Sequence, residues 1–250
     1  MKPVSLRSAA VAALYLVVLL SIGAWSKDKP KEESAKLVDS GTFGVFAGGQ
    51  RVATETFSIK QSSQGSTVSS QFKSAQGEQN AEQSSLLQLT PSGDLRSYEW
   101  KELSPGKTVA SVTPDESFLI EQFSDTPNSK PHDQNFLLPA STAILDDYVF
   151  VQREVLAWKY LATACKHQQG PVQCPVNQKV QFGTLNPHER SSMLVSIEFS
   201  GRDKVKIGTS QRDLSRFLLK GETGDWAFWL DDQFKLVRLL NDGGTEIVRD

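Results

Sequence analysis

The chain has 250 residues, a net charge of −2, 38% apolar and 22% charged residues. That length allows one large β-rich domain or two small ones, and 13 Phe and 5 Trp can fill a packed core. The near-neutral balance excludes a global pull toward nucleic acid or an anionic membrane, and there is no basic stripe or phosphate-cradling glycine loop.

Lys2 and Arg7 are the only charges before Lys27. The uncharged run from Ser8 to Ser26 centres on AAVAALYLVVLL and has small residues at Ser21 and Gly23. A basic start, an apolar centre and small residues read as a bacterial secretion signal. The run also approaches the ~20 residues of a spanning helix, so residues 1–26 are a signal peptide or a retained N-terminal anchor. Trp25 crowds the cleavage region, and no Cys follows the run, which argues against a lipoprotein-type acyl anchor. On either reading the body is exported to the periplasm or cell envelope, and it touches the membrane only through this segment if that stays uncleaved. Losing Lys2 and Arg7 with the segment takes the charge from −2 to −4.

Residues 27–39 (KDKPKEESAKLVD) read as a polar linker, and residues 40–250 as a single β-rich domain. Gly41 to Ile59 forms a hairpin about Gly48-Gly49, with Phe43 and Val45 on one side of the first strand. On one side of its partner lie Ala53, Glu55, Phe57 and Ile59. Lys60 to Ser85 is rich in Ser and Gln; a strand is expected over Ser66–Ser74 and a loop over Ala75–Glu82. Hairpins follow over Ser85–Leu103 and Thr108–Phe123, then a loop with two prolines from Ser124 to Asn135.

Thr142 to Ala164 has the clearest helical period, with apolar residues at Ile144, Tyr148, Val151, Val155, Trp158 and Ala162. Leu145, Val149, Leu156 and Tyr160 widen that face, so the helix must be covered on most sides. Cys165 and Cys174 follow it, and in an oxidising compartment this close pair reads as a disulfide. Strand patterns then run to the C-terminus through KVQFGTL, MLVSIEFSG, KVKIGT, LSRFLLKG, DWAFWLD and FKLVRLLN. The fold class is mainly β (α+β): about ten to twelve strands in a large twisted antiparallel meander or half-barrel wrapped around one long helix.

Gly41, Phe43, Val45, Gly48, Gly49, Glu55, Phe57 and Ile59 make a hairpin of the form G-x-F-x-V…G-G…E-x-F-x-I, and Trp229, Asp231, Leu236 and Val237 a late W-x-D-x-x-x-x-L-V turn. With the export signal, these resemble a group of uncharacterised bacterial envelope proteins. More distantly, the element order resembles the outer-membrane lipoprotein carriers. That resemblance implies a half-barrel with a helical lid that holds acyl chains, and it carries over no catalytic residue. The Ser/Gln-rich segment departs from the pattern.

His132, His167 and His188 sit beside Pro, Gln or Glu and read as surface histidines. No G-x-S-x-G elbow is present. Cys165, His167, Cys174 and His188 could supply metal ligands, but their spacing matches no common zinc ribbon and export favours the disulfide. Asp146 and Asp147 are expected to meet the positive end of the helix, and Asp231-Asp232 to form a hairpin tip. Trp226, Phe228 and Trp229 read as core, with a carbohydrate platform as the alternative.

These readings lead to a non-enzymatic protein with no catalytic residue, metal or cofactor. An apolar cavity between sheet and helix would hold a lipid or acyl chain, bordered by Phe43, Phe57, Tyr148, Val151, Val155, Trp158 and Trp226. The expected partners are a lipid or lipoprotein, or another envelope protein, and not nucleic acid. The alternatives are a filled structural or interaction module and an exported hydrolase.

Overall fold

Strand alternation dominates the computed structural model, which describes residues 35–74, 80–126, 128–166, 172–221 and 224–250. The expected signal or anchor segment and most of the expected linker lie outside these residues, as does His167. The first strands are Lys36–Ala47 (β1), Gln50–Ser62 (β2), Gly65–Ser74 (β3), Glu82–Leu89 (β4) and Leu95–Ser104 (β5). Val109–Asp115 (β6), Phe118–Ser124 (β7), His132–Phe136 (β8) and the short Ala143–Ile144 (β9) lead to the helix Val151–Ala164 (α1). Lys179–Asn186 (β10), Ser191–Ile207 (β11), Ser210–Gly221 (β12), Gly224–Leu230 (β13), Leu236–Asn241 (β14) and Thr245–Arg249 (β15) complete the order.

Among the described residues, all 15 strands belong to one sheet, ordered β8-β7-β6-β5-β4-β3-β2-β1-β15-β14-β13-β12-β11-β10-β9. Two meanders run outward from the pairing of the first and last strands, where Val45 faces Ile247. Every pairing is antiparallel except β9 with β10. The expected mainly β sheet with one helix is therefore what forms. Inward residues such as Phe43, Phe57, Tyr98, Phe217 and Phe228 join Val151, Leu156 and Tyr160 of α1 in one large core. Val205, Leu214, Trp229 and Val237 pack separately on the other face.

Several expectations are corrected. The helix begins at Val151 rather than Thr142. Ala143 and Ile144 instead pair with Thr184 and Leu185, and the Asp146 carboxylate accepts from the Tyr148 amide at 3.0 Å. That local turn competes with helix, as Asp side chains do. Strand β1 begins inside the expected linker, because Asp39 is turned inward, 2% exposed. Strand β8 occupies part of the expected Ser124–Asn135 loop. MLVSIEFSG and KVKIGT are one strand, β11, whose register shifts between Phe199 and Gly201. A glycine at φ +115° lets the chain bulge there and continue.

The sheet is open, but its two wings meet through side chains. The turn between β10 and β11 carries His188 and Arg190. The Arg190 guanidinium lies 3.6 Å from the Phe123 ring centre on β7, and Gln134 of β8 donates to the Arg190 carbonyl.

Candidate functional site

The first turn of α1 has no capping side chain of its own. Glu55 of β2 takes that role: its carboxylate accepts from the Phe150 amide at 2.9 Å, the Val151 amide at 3.4 Å and the Ser70 hydroxyl at 2.6 Å. A carboxylate here satisfies orphan amides and meets the positive end of the helix. The dipole role expected of Asp146 and Asp147 thus falls to a residue on another strand. Burial raises the Glu55 pKa to about 7, against the pull of these hydrogen bonds.

One turn further on, α1 stands off from the sheet and leaves a cavity of about 290 Å³. Leu87 and Leu89 of β4 form its sheet wall; Val155, Leu156, Trp158 and Ala162 form its helix wall. Thr90, Ser92 and Lys159 bring polar atoms to it. The volume sits at the lower end of the ~300–1,000 Å³ of small-molecule sites. A larger depression of about 650 Å³ beside Phe46, Ile207 and Val248 is more open and has no helix over it.

The structure brings Val155 and Trp158 together on this cavity, and Trp158 is held in place by donating from Nε1 to the Phe234 carbonyl at 2.7 Å. The other residues expected there lie elsewhere. Phe43 and Phe57 stack on each other in the core, ring centres 4.7 Å apart. Val151 is fully buried. Tyr148 is 41% exposed and packs on His188. Trp226 borders a different hollow of about 40 Å³, beside Arg153. Tyr148 is displaced because it precedes the helix, which starts at Val151; Phe43 and Phe57 are used in core packing instead.

His188 is not a surface histidine. Its Nδ1 lies 2.7 Å from the buried Asp146 carboxylate and its Nε2 3.0 Å from the Gln83 side-chain amide. Its ring stacks on Trp100 at 3.9 Å. The same Asp146 oxygen accepts from the Tyr98 hydroxyl at 2.6 Å, and the Asp146 carbonyl accepts from Arg153 Nη1. General-base work needs a ring nitrogen facing a nucleophile or substrate. Here both nitrogens face fixed partners, and the hollow beside the ring has a volume near 0 Å³. The cluster is a clasp between β4, the lead-in to α1 and the β10–β11 turn.

A second polar cluster ties α1 to the first and last strands. Arg249 binds Asp39 with two nitrogens and reaches Glu154 at 3.4 Å, and Lys235 lies 3.1 Å from Asp39. Burial, then the neighbouring Asp39, raise the Glu154 pKa to about 9, against Arg249. Burial also pushes Asp39 up, but Arg249, Glu154 and Lys235 outweigh it and hold Asp39 below its ordinary value. Glu121 of β7 is fully buried, and neither oxygen has a hydrogen-bond partner among the described residues. Burial raises its pKa to about 7, with Arg190 opposing and Asp146 reinforcing.

Sequence reasoning missed Asp39, Glu55, Glu121, Arg153 and Glu154 as interior groups. Glu55 and Glu121 did carry a signal. Glu55 shares its strand face with Ala53, Phe57 and Ile59, and Glu121 shares one with Leu119, so each is an acid on an apolar face.

The Cys165–Cys174 disulfide is formed at the exit of α1, and the Lys166 and Gln173 backbones pair beside it. Both thiols of the alternative metal set are thereby used. The Asp231 carboxylate accepts from the Gln233 and Lys235 amides, shaping a turn. Trp229 is 6% exposed under Arg216 and Arg238, and Phe228 is fully buried, so neither offers a carbohydrate platform. Among the described residues, no helix is long and apolar enough to cross a membrane. Comparison with protein-family models, curated proteins and solved structures gives no match to this chain.

Proposed function

We propose that this is an exported, non-enzymatic envelope protein that holds a small apolar ligand, a lipid or acyl chain, between α1 and the sheet. The observation that carries the reading is the 290 Å³ cavity, walled on one side by Leu87 and Leu89 and on the other by Val155 and Trp158. A half-enclosed, largely apolar hollow between a helix and a sheet is the kind of place where small-molecule sites form. The disulfide supports an oxidising address, and the apolar run at residues 8–26 supports export.

The test is lipid extraction and native mass spectrometry on the full chain, purified from an exported preparation without detergent. A stoichiometric adduct of acyl mass is expected. A chain that carries nothing, and stays empty after incubation with lipids, would leave the filled-module reading in its place.

The hydrolase reading draws on one observation, the buried Asp146 beside His188. Against it, the His188 ring has no hydroxyl partner among its hydrogen bonds and no room beside it for an attacking water.

A further inference from the structure

The cavity is not apolar all round. Lys159 is the one charged side chain among the described residues that line it. Its Nζ donates to the Ser141 carbonyl at 2.5 Å, and among the described residues no carboxylate lies within ion-pair distance of it. Burial lowers the Lys159 pKa, with Asp94 opposing, so a hydrogen-bonding anion beside the ammonium would be stabilising. Asp94 itself accepts from the Ser92 hydroxyl at 2.9 Å.

Resting on the acyl-binding reading above, we propose that the occupant is a free medium-chain fatty acid, its carboxylate against Lys159 and its tail along Leu87, Leu89, Val155 and Leu156. Charge complementarity selects the head: a carboxylate accepts from the Lys159 ammonium, whereas an ester, amide or alcohol leaves the ammonium without an anion. Size selects the tail. A space of 290 Å³ holds on the order of ten groups the size of a water, each about 30 Å³. A methylene is of similar bulk, which points to a chain of about eight to ten carbons. The acyl chain of a lipidated protein offers the same tail, but its amide or ester carries no charge for Lys159.

The experiment is calorimetric titration of the full chain at pH 7 with decanoate, 1-decanol and decanamide, the last standing for a protein-linked acyl group. Decanoate is expected to bind about tenfold or more tighter than the two neutral ligands, the range of a charge-assisted hydrogen bond. Lys159→Met should bring the three to similar affinity, and Lys159→Arg should restore the preference. Equal binding of decanoate and decanol by the native chain overturns the inference and leaves the cavity reading standing. Tighter binding of decanamide also overturns it and assigns the site to an acylated protein. Binding of none of the three overturns both. The comparison within the native chain decides the matter even if Lys159→Met fails to fold.

Discussion

At the residue scale, the interior is organised by buried acids on inward-facing positions of the strands and the helix. Glu55 caps a helix that lacks a cap of its own, and Glu154 joins Arg249 and Asp39 to hold that helix on the pairing of the first and last strands. The pH dependence follows from the direction of each shift. Glu55 and Glu121 have values raised to about 7, and Glu154 to about 9, from an ordinary 4.5. In those windows the native state binds more protons than the unfolded chain, so stability is full below about pH 4.5 and falls as pH rises through the native values. Asp39 acts oppositely, and its contribution is lost only as pH falls through its depressed value. The thermal midpoint is therefore expected to drop by several degrees between pH 5 and pH 9. Glu154→Gln should flatten the upper part of that fall, between pH 7 and 9. A variant whose midpoint tracks the native curve across that range would contradict the assignment.

These acids also mark the limit of what could be read beforehand. The parity of Glu55 with Phe57 and Ile59 was visible in the sequence, but alternation does not say that a helix terminus from elsewhere will meet the carboxylate. Arg153 and Glu154 were less legible still. Within the expected helix they fall off its apolar rows, and only the surrounding sheet makes them interior. His188 follows the same logic: it lies in a polar turn, and its ring is drawn inward onto Trp100, Gln83 and Asp146.

At the element scale, hairpin chemistry was the most legible feature, since glycine and proline punctuation acts locally. Gly65 shows why. It closes the β2–β3 turn at φ +126°, where a Cβ would come within 2.0 Å of the Leu89 carbonyl oxygen. Gly65→Ala is expected to cost about 2–4 kcal/mol, measured by urea unfolding. A change within about 0.5 kcal/mol would show that the backbone there relaxes freely. The disulfide was legible for a similar reason, being short-range and tied to compartment. Replacing Cys165 and Cys174 together by Ser should cost about 2–3 kcal/mol by loop entropy, read from the same unfolding curves. The helix start was misplaced because the apolar period continues through Ile144 and Tyr148, while Asp146 and pairing with β10 turn that stretch away from helix.

At the scale of the whole molecule, two meanders are joined by the pairing of β1 with β15, and their wings are clasped by the β10–β11 turn. This places the helix across a concave sheet that it does not completely fill. The architecture followed from a simple balance of surfaces: one apolar helix in a sheet-rich chain has only sheet to cover it. The size and position of the space left over did not follow, because they depend on how far Leu87 and Leu89 stand from Val155 and Trp158. The clasp makes its own prediction. His188→Ala should speed amide hydrogen exchange in β4 and β10 together, because the side chain bridges them. Faster exchange confined to the turn would show that the wings hold without it.

The central claim is that the space between α1 and β4 is a ligand site. The most direct measurement is native mass spectrometry of the full chain titrated with a medium-chain fatty acid, with Val155→Trp run in parallel. Val155 lines the cavity from the helix side, and the larger ring fills the space without adding charge. A one-to-one adduct on the native chain that disappears in Val155→Trp is the predicted result. An adduct that persists unchanged in Val155→Trp, or a native chain that stays free of ligand throughout, would contradict the account.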